Sequence, residues 1–147
     1  MKILSWNVNG VRAVVKKGLF DWLESESPDV VCLQEVKART EDLDESILNP
    51  EGYHVAWNSA ERKGYSGVAI FTKKKPKKVH RGIGIDRFDV EGRVIRVEFK
   101  DFDLLNVYFP NGTSGSERLQ YKMGFRGDVD HENLIANHSR ELVQIRD

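Results

Sequence analysis

An α/β sandwich is the fold this sequence predicts, and three observations carry it. The chain opens as strand, helix, strand; five β-rich runs then follow with only short polar joins; and DVVCLQEV is apolar on both alternating faces, as expected of a strand covered on both sides. KILSWNV is the first strand, rich in β-branched and aromatic residues. In VRAVVKKGLFDWLESE, the residues Val11, Val14, Val15, Leu19, Trp22 and Leu23 recur at helical spacing, so a helix follows. Pro28 and Asp29 break it ahead of DVVCLQEV. EDLDESIL is expected to form a short helix that stops at Asn49, Pro50 and Gly52.

YHVAWNS, SGVAIFTK, KKVHRGI, RVIRVEFK and DLLNVYF are the five β-rich runs, and hairpins are the economical joins, above all at FTKKKPKKV and EFKDFDLL. From Ser114 the text changes. SGSERLQYKM opens a helix with Ser114 or Ser116 as its cap, and Gly124 and Gly127 interrupt it. Asp128 or Asp130 then caps a second helix over HENLIANHSRELVQIRD, with Leu134, Ile135, His138, Leu142 and Ile145 on one stripe that docks on a sheet or on another chain. No repeat and no flexible linker appears, so a single domain is expected.

A length of 147 residues suits one domain and one core. Hydrophobic residues make up 39% and charged residues 31%, without a long biased tract, which excludes disordered and fibrous classes. The apolar runs are too short to span a bilayer and the first residues lack the regions of a signal peptide, so no membrane partner and a cytoplasmic location are expected. The single cysteine, Cys32, has no intramolecular partner and reads as core packing rather than as a catalytic thiol. Lys and Arg number 23 against 23 Asp and Glu, so the basic excess of many nucleic-acid binders is absent overall. Locally, TKKKPKKVHR gathers Lys73, Lys74, Lys75, Lys77, Lys78 and Arg81, a cluster that suits either phosphate contact or a strand edge protected by lysines.

Several strand ends share one feature, a polar residue directly after apolar strand text. Asn7 and Asn9 follow ILSW, Gln34 and Glu35 follow VVCL, and Tyr108 and Asn111 close DLLNVYFPNG. In sheets that carry a site at one edge, such groups converge in one cleft. A lone carboxylate among amides suits Mg²⁺, which is usually held by one or two carboxylates together with waters and substrate phosphates, and this points to phosphate-ester chemistry. Plainer readings stand beside it: Asn7 as a strand terminator, Glu35 as a surface charge, Tyr108 as a core aromatic with a satisfied hydroxyl, and Asn-Gly as an ordinary turn.

SWNVNGVRA, DVVCLQEVK, KGYSGVAIF, EGRVIRVEF and NVYFPNG, in this order, closely resemble the exonuclease III and AP endonuclease branch of the endonuclease/exonuclease/phosphatase superfamily, from Met1 to about Met123. The resemblance implies half of a four-layered αββα sandwich, α/β (α+β) in class, mostly antiparallel with flanking helices. It implies a Mg²⁺-dependent nuclease, with Mn²⁺ as the substitute metal, acting on double-stranded DNA at abasic sites or 3′ ends. By the same resemblance Glu35 is the metal ligand, with Asn7 and Asn9 beside it; Tyr108, Asn111 and Asn7 serve catalysis at the phosphate. Lys63, Gly64, Tyr65, Arg93, Lys74 and Lys75 are the DNA-binding candidates. A phosphatase of the same superfamily is a further alternative, which WNVNG and YFPNG disfavour.

The family's later motifs, Gly-Asp-Phe-Asn and a terminal Asp-His pair, have no counterpart in context, since the one Asp-His dipeptide is Asp130-His131 at the start of the expected second helix. Residues 1–123 are therefore expected to form the first half of such a nuclease and 124–147 a helical tail foreign to the family, as in a truncated, frameshifted or chimeric chain. A half-enzyme that keeps one sheet would expose its inner face, which predicts a homodimer through that face and weak or absent hydrolysis. The alternative is a folded half-domain without catalysis that retains metal or DNA binding.

Overall fold

Hydrogen bonding sorts the strands into two four-stranded sheets. The computed structural model describes residues 1–113, 115–131 and 141–145, with side chains as far as residue 129. The first sheet contains β1 (Ile3–Asn7), β2 (Val30–Gln34), β3 (His54–Asn58) and β4 (Val68–Thr72), in the order β1-β2-β4-β3. The second contains β5 (Lys78–Arg81), β6 (Val94–Glu98), β7 (Phe102–Val107) and β8 (Glu141–Ile145), in that order. β1 lies parallel to β2 and β7 parallel to β8; every other pairing is antiparallel.

Alternation along the strands builds three apolar layers. Val31, Leu33, Ala69 and Phe71 face outward from the first sheet and pack under α1 (Val11–Lys16) and α2 (Leu19–Glu26), in one cluster with Ile47 of α3 (Glu45–Leu48). Val30, Cys32, Ala56, Val68 and Ile70 face inward and meet Ile95, Val97, Phe99 and Leu104 of the second sheet. Val94, Leu105 and Val107 face outward on the far side, where Phe88 of the short helix α4 (Asp86–Asp89) and Phe125 and Val129 of a long one cover them. The order is helix, sheet, sheet, helix. β2 is buried on both faces, as its text predicts, and the Cys32 thiol is pushed up to about 12 by burial, which makes it inert.

Both sheets are present in one chain and cover each other. The exposed inner face that motivated a homodimer is thus occupied from within, and the expectation loses its premise.

Local departures have physical reasons. The helix expected after β1 is two helices, because Gly18 adopts a left-handed φ of 95° between them. EFKDFDLL is the expected hairpin, closed by the Phe99 amide on the Phe102 carbonyl at 2.9 Å. FTKKKPKKV is not one: it carries the chain from β4 in one sheet to β5 in the other. Gly124 and Gly127 do not interrupt the long helix α5 (Ser116–His131), for Tyr121, Phe125 and Val129 recur every fourth residue on its buried face, which offsets a glycine cost of about 1 kcal/mol each. Of the second helix expected over 131–147, His131 closes α5 and Leu142 and Ile145 lie in β8 instead, where β7 supplies a strand to pair with; Leu134, Ile135 and His138 lie outside the described residues. No helix among the described residues is long and apolar enough to cross a membrane.

Asn106 joins the sheets through their dry interior. Fully buried on β7, it donates to the backbone carbonyls of Leu33 (3.1 Å) and Ala69 (2.9 Å), and accepts from Gln34 Nε2 at 2.8 Å. Asn106→Ala takes a donor from two buried carbonyls and one of its acceptors from the Gln34 amide, which keeps Ser5 Oγ at 3.0 Å, and should cost about 2–4 kcal/mol in urea unfolding; a loss under about 1 kcal/mol would show the bridge to be unimportant.

Candidate active site

β1, β2 and β7 end at one edge of the sandwich. Asn7 is the last residue of β1, Glu35 follows β2 and Tyr108 follows β7, so strands from both sheets deliver side chains to one place. Glu35 Oε1 accepts from Asn7 Nδ2 at 2.9 Å and from the Tyr108 hydroxyl at 2.7 Å. Glu35 Oε2 meets Lys37 Nζ at 2.9 Å, and the same ammonium donates to Asn9 Oδ1. Asn7 Oδ1 in turn accepts from the Asn9 backbone amide at 3.2 Å.

The backbone here is held in unusual conformations. Asn9, Glu35 and Lys37 have φ of 47°, 53° and 49°, in the left-handed region that costs a residue with a side chain on the order of 1–3 kcal/mol. Neighbouring loops hold them there: the Gly10 amide donates to the Glu35 carbonyl at 2.7 Å, Val36 to Gly67 at 3.1 Å and Lys37 to Ser66 at 2.9 Å. Gly67 is required, since a Cβ there would fall 2.6 Å from Val36 Cγ2.

Burial pushes the Glu35 carboxyl up, but hydrogen bonds from Asn7, Tyr108 and Lys37 outweigh it and bring it down to about 2. Tyr108 moves the other way, pushed up to about 12 by burial and then by the Glu35 carboxylate. At neutral pH one is an anion and the other a proton donor. Glu35, Asn7 and Asn9 are all oxygen donors with a single negative charge, a set suited to Mg²⁺ and poorly suited to softer metals. The Lys37 ammonium between Glu35 and Asn9 shows that these two groups already accommodate a cation. Among the described residues no group of three or more His, Cys, Asp or Glu comes together.

The family model for the endonuclease/exonuclease/phosphatase family matches residues 4–143. The chain belongs to this family. The match runs on to residue 143, beyond residue 123, where the resemblance was expected to end. An exodeoxyribonuclease of Bacillus subtilis is 49% identical over 145 residues, covering 98% of this chain and 54% of its own length. A DNA-(apurinic or apyrimidinic site) endonuclease of Dictyostelium discoideum is 44% identical over 136 residues, covering 92% of this chain and 37% of its own. Among solved structures, an AP endonuclease from Archaeoglobus fulgidus superposes with a TM-score of 0.78 at 32% identity, over 90% of this chain and 50% of that one. The chain thus spans 37 to 54% of the length of these relatives.

The other predicted residues lie elsewhere. Asn111 Oδ1 accepts from the Thr113 amide and hydroxyl of its own loop, at 3.0 and 2.9 Å, and makes no bond to Glu35. Lys63 is exposed, 3.6 Å from Asp42, and Gly64 turns the same loop with φ 70°. Arg93 is no surface cation: its side chain is 2% exposed and lies against the Tyr108 ring, 4.7 Å from the centroid. Lys74 and Lys75 follow the far end of β4, at the opposite end of the sandwich from Glu35. Lys37, Gln34 and Asn106 complete the site and its support; Lys37 and Gln34 lie within DVVCLQEVK, but nothing in their spacing shows which atoms they reach.

Tyr108→Phe removes one of the three donors, so the Glu35 carboxyl should titrate above about 2, measured by carboxyl ¹³C NMR. A depressed carboxylate stabilises the fold above its ordinary value of 4.5 and loses that contribution as pH falls towards about 2. Across that window the native chain should lose more stability than Glu35→Gln; parallel curves would contradict the assignment.

Proposed function

We propose that this chain carries the metal-binding and phosphate-binding part of a Mg²⁺-dependent nuclease acting on double-stranded DNA at abasic sites or 3′ ends. The observation that supports it best is the Glu35 carboxylate held ionised by Asn7, Tyr108 and Lys37 at a shared strand edge. Glu35 would hold the ion, with Mn²⁺ as a substitute, while Asn7 and Asn9 add neutral oxygens. When bound, the metal supplies Lewis-acid polarisation of a phosphoryl oxygen. Tyr108 keeps its proton at neutral pH and donates it in a hydrogen bond, either to Glu35 or to a phosphate oxygen. Lys37 balances charge beside them, and Asn111, Lys63, Gly64 and Tyr65 lie in loops suited to the DNA backbone. None of the groups that hold Glu35 requires a second copy of the chain.

Turnover by these 147 residues alone is proposed to be slow. No His or second carboxylate is bonded to Glu35 among the described residues, and a positioned general base contributes typically about 10²–10⁴ in rate. A second reading, a domain that binds DNA without cutting it, is favoured by Lys37, which already supplies a cation to Glu35 and Asn9.

Nicking of a duplex bearing one abasic-site analogue distinguishes them. The nuclease reading expects slow nicking with Mg²⁺ that disappears with EDTA and in Glu35→Ala, while duplex binding survives the substitution. Binding without nicking would establish the second reading. Nicking that persists in Glu35→Ala would remove this carboxylate from the chemistry.

A further inference from the structure

Behind Tyr108 lies a group of charged side chains that the proposed chemistry does not use. The Arg93 guanidinium, buried to 2% exposure, sends Nε to Glu91 Oε2 at 2.5 Å, one terminal nitrogen to the Tyr108 carbonyl at 3.1 Å and the other to the Tyr65 hydroxyl at 3.1 Å. Arg118, from the first turns of α5, approaches Glu91 from the other side and makes two parallel bonds of 2.8 Å, one to each carboxylate oxygen. It also donates to the Tyr65 hydroxyl at 2.8 Å. A single carboxylate is thus the counter-charge for two guanidinium groups.

Three parts of the chain with no local connection meet here: the loop bearing Tyr65, the strand end bearing Tyr108, and α5. Gly92, between Glu91 and Arg93, lies against the Ser59–Ala60 backbone, where a Cβ would fall 2.4 Å from the Ser59 carbonyl carbon. A buried guanidinium that loses its anion cannot stay in place without one, because an uncompensated charge in a dry site is strongly disfavoured. Displacing Arg93 would release both the Tyr108 carbonyl and the ring stacked on the guanidinium, and with them the hydroxyl on Glu35.

We propose that Glu91 is a positioning residue, which, by clamping Arg93 and Arg118, sets the Tyr108 hydroxyl against Glu35 and the Tyr65 loop against α5. It touches neither metal nor phosphate and acts through the two arginines. The metal half of this inference rests on the proposed function; the tyrosine half does not. Residues that orient a metal ligand through hydrogen bonds typically change metal affinity by about 10–100-fold when lost.

The test uses the full chain with ¹³Cζ-labelled tyrosine, whose four tyrosines keep the spectrum simple. Glu91→Gln keeps the shape and removes the charge. The expected result is a displaced Tyr108 resonance, assigned through Tyr108→Phe, together with about 10-fold weaker Mg²⁺ binding. Glu98→Gln, which breaks an ion pair with His80 and Arg96 away from the site, should move neither. If Glu91→Gln does not fold, Arg118→Met severs the clamp from the helix side and should displace the Tyr65 resonance. An unmoved Tyr108 resonance in folded Glu91→Gln, or an unmoved Tyr65 resonance in Arg118→Met, overturns the proposal. A displaced Tyr108 resonance in a chain that binds no Mg²⁺ even as the native sequence would uphold the positioning role and reject the metal reading instead.

Discussion

Asn106 is the contact on which the rest of the molecule depends. Apolar layers pack without regard to small shifts of one sheet along another, because dispersion and burial are non-directional. The Asn106 carboxamide removes that freedom, since it must reach two carbonyls of the first sheet and the Gln34 amide at once. Gln34 immediately precedes Glu35, and Asn106 stands two residues before Tyr108. The register that satisfies the buried amide is therefore the register that brings the phenol to the carboxylate.

Electrostatics then refines what packing places. Glu35 is acidic because three donors serve it, against the direction in which burial alone would push. Tyr108 stays protonated because burial and a neighbouring anion both raise it. Their opposed shifts create an anion and a donor 2.7 Å apart at neutral pH, a division of roles typical of sites that handle charged substrates. Behind them the Glu91, Arg93 and Arg118 group repeats the pattern in drier surroundings, where Glu91 is drawn below its ordinary range by both arginines against the effect of burial.

Much of this was legible in the amino-acid text, for reasons that differ by element. The two-faced burial of β2 follows from VVCL, and the polar strand ends announce Asn7, Glu35 and Tyr108 without fixing their distances. Five short motifs carry the family. What the text conceals is long-range: that FTKKKPKKV crosses between sheets, that Arg93 is buried under a tyrosine, and that β8 takes residues whose spacing reads as helical. Periodicity reports which side of an element is apolar, but not which neighbour will cover it. Gly124 and Gly127 mislead for the same reason, as burial of Phe125 and Val129 outweighs a local penalty.

The bond between Tyr108 and Glu35 spans 73 positions in the chain, and the Asn106 bond to the Leu33 carbonyl spans as many. Contacts of such separation form late, because the loop between them must be closed before any of them contributes. On a ribosome the first sheet's strands all emerge before β7 does, so a nascent chain can pair β1 through β4 while the site still lacks Tyr108. The carboxylate at residue 35 has Asn7 and Lys37 beside it from the first sheet, but it gains the Tyr108 hydroxyl only once β7 has docked. That bond thus marks the arrival of β7 rather than the pairing of the first sheet.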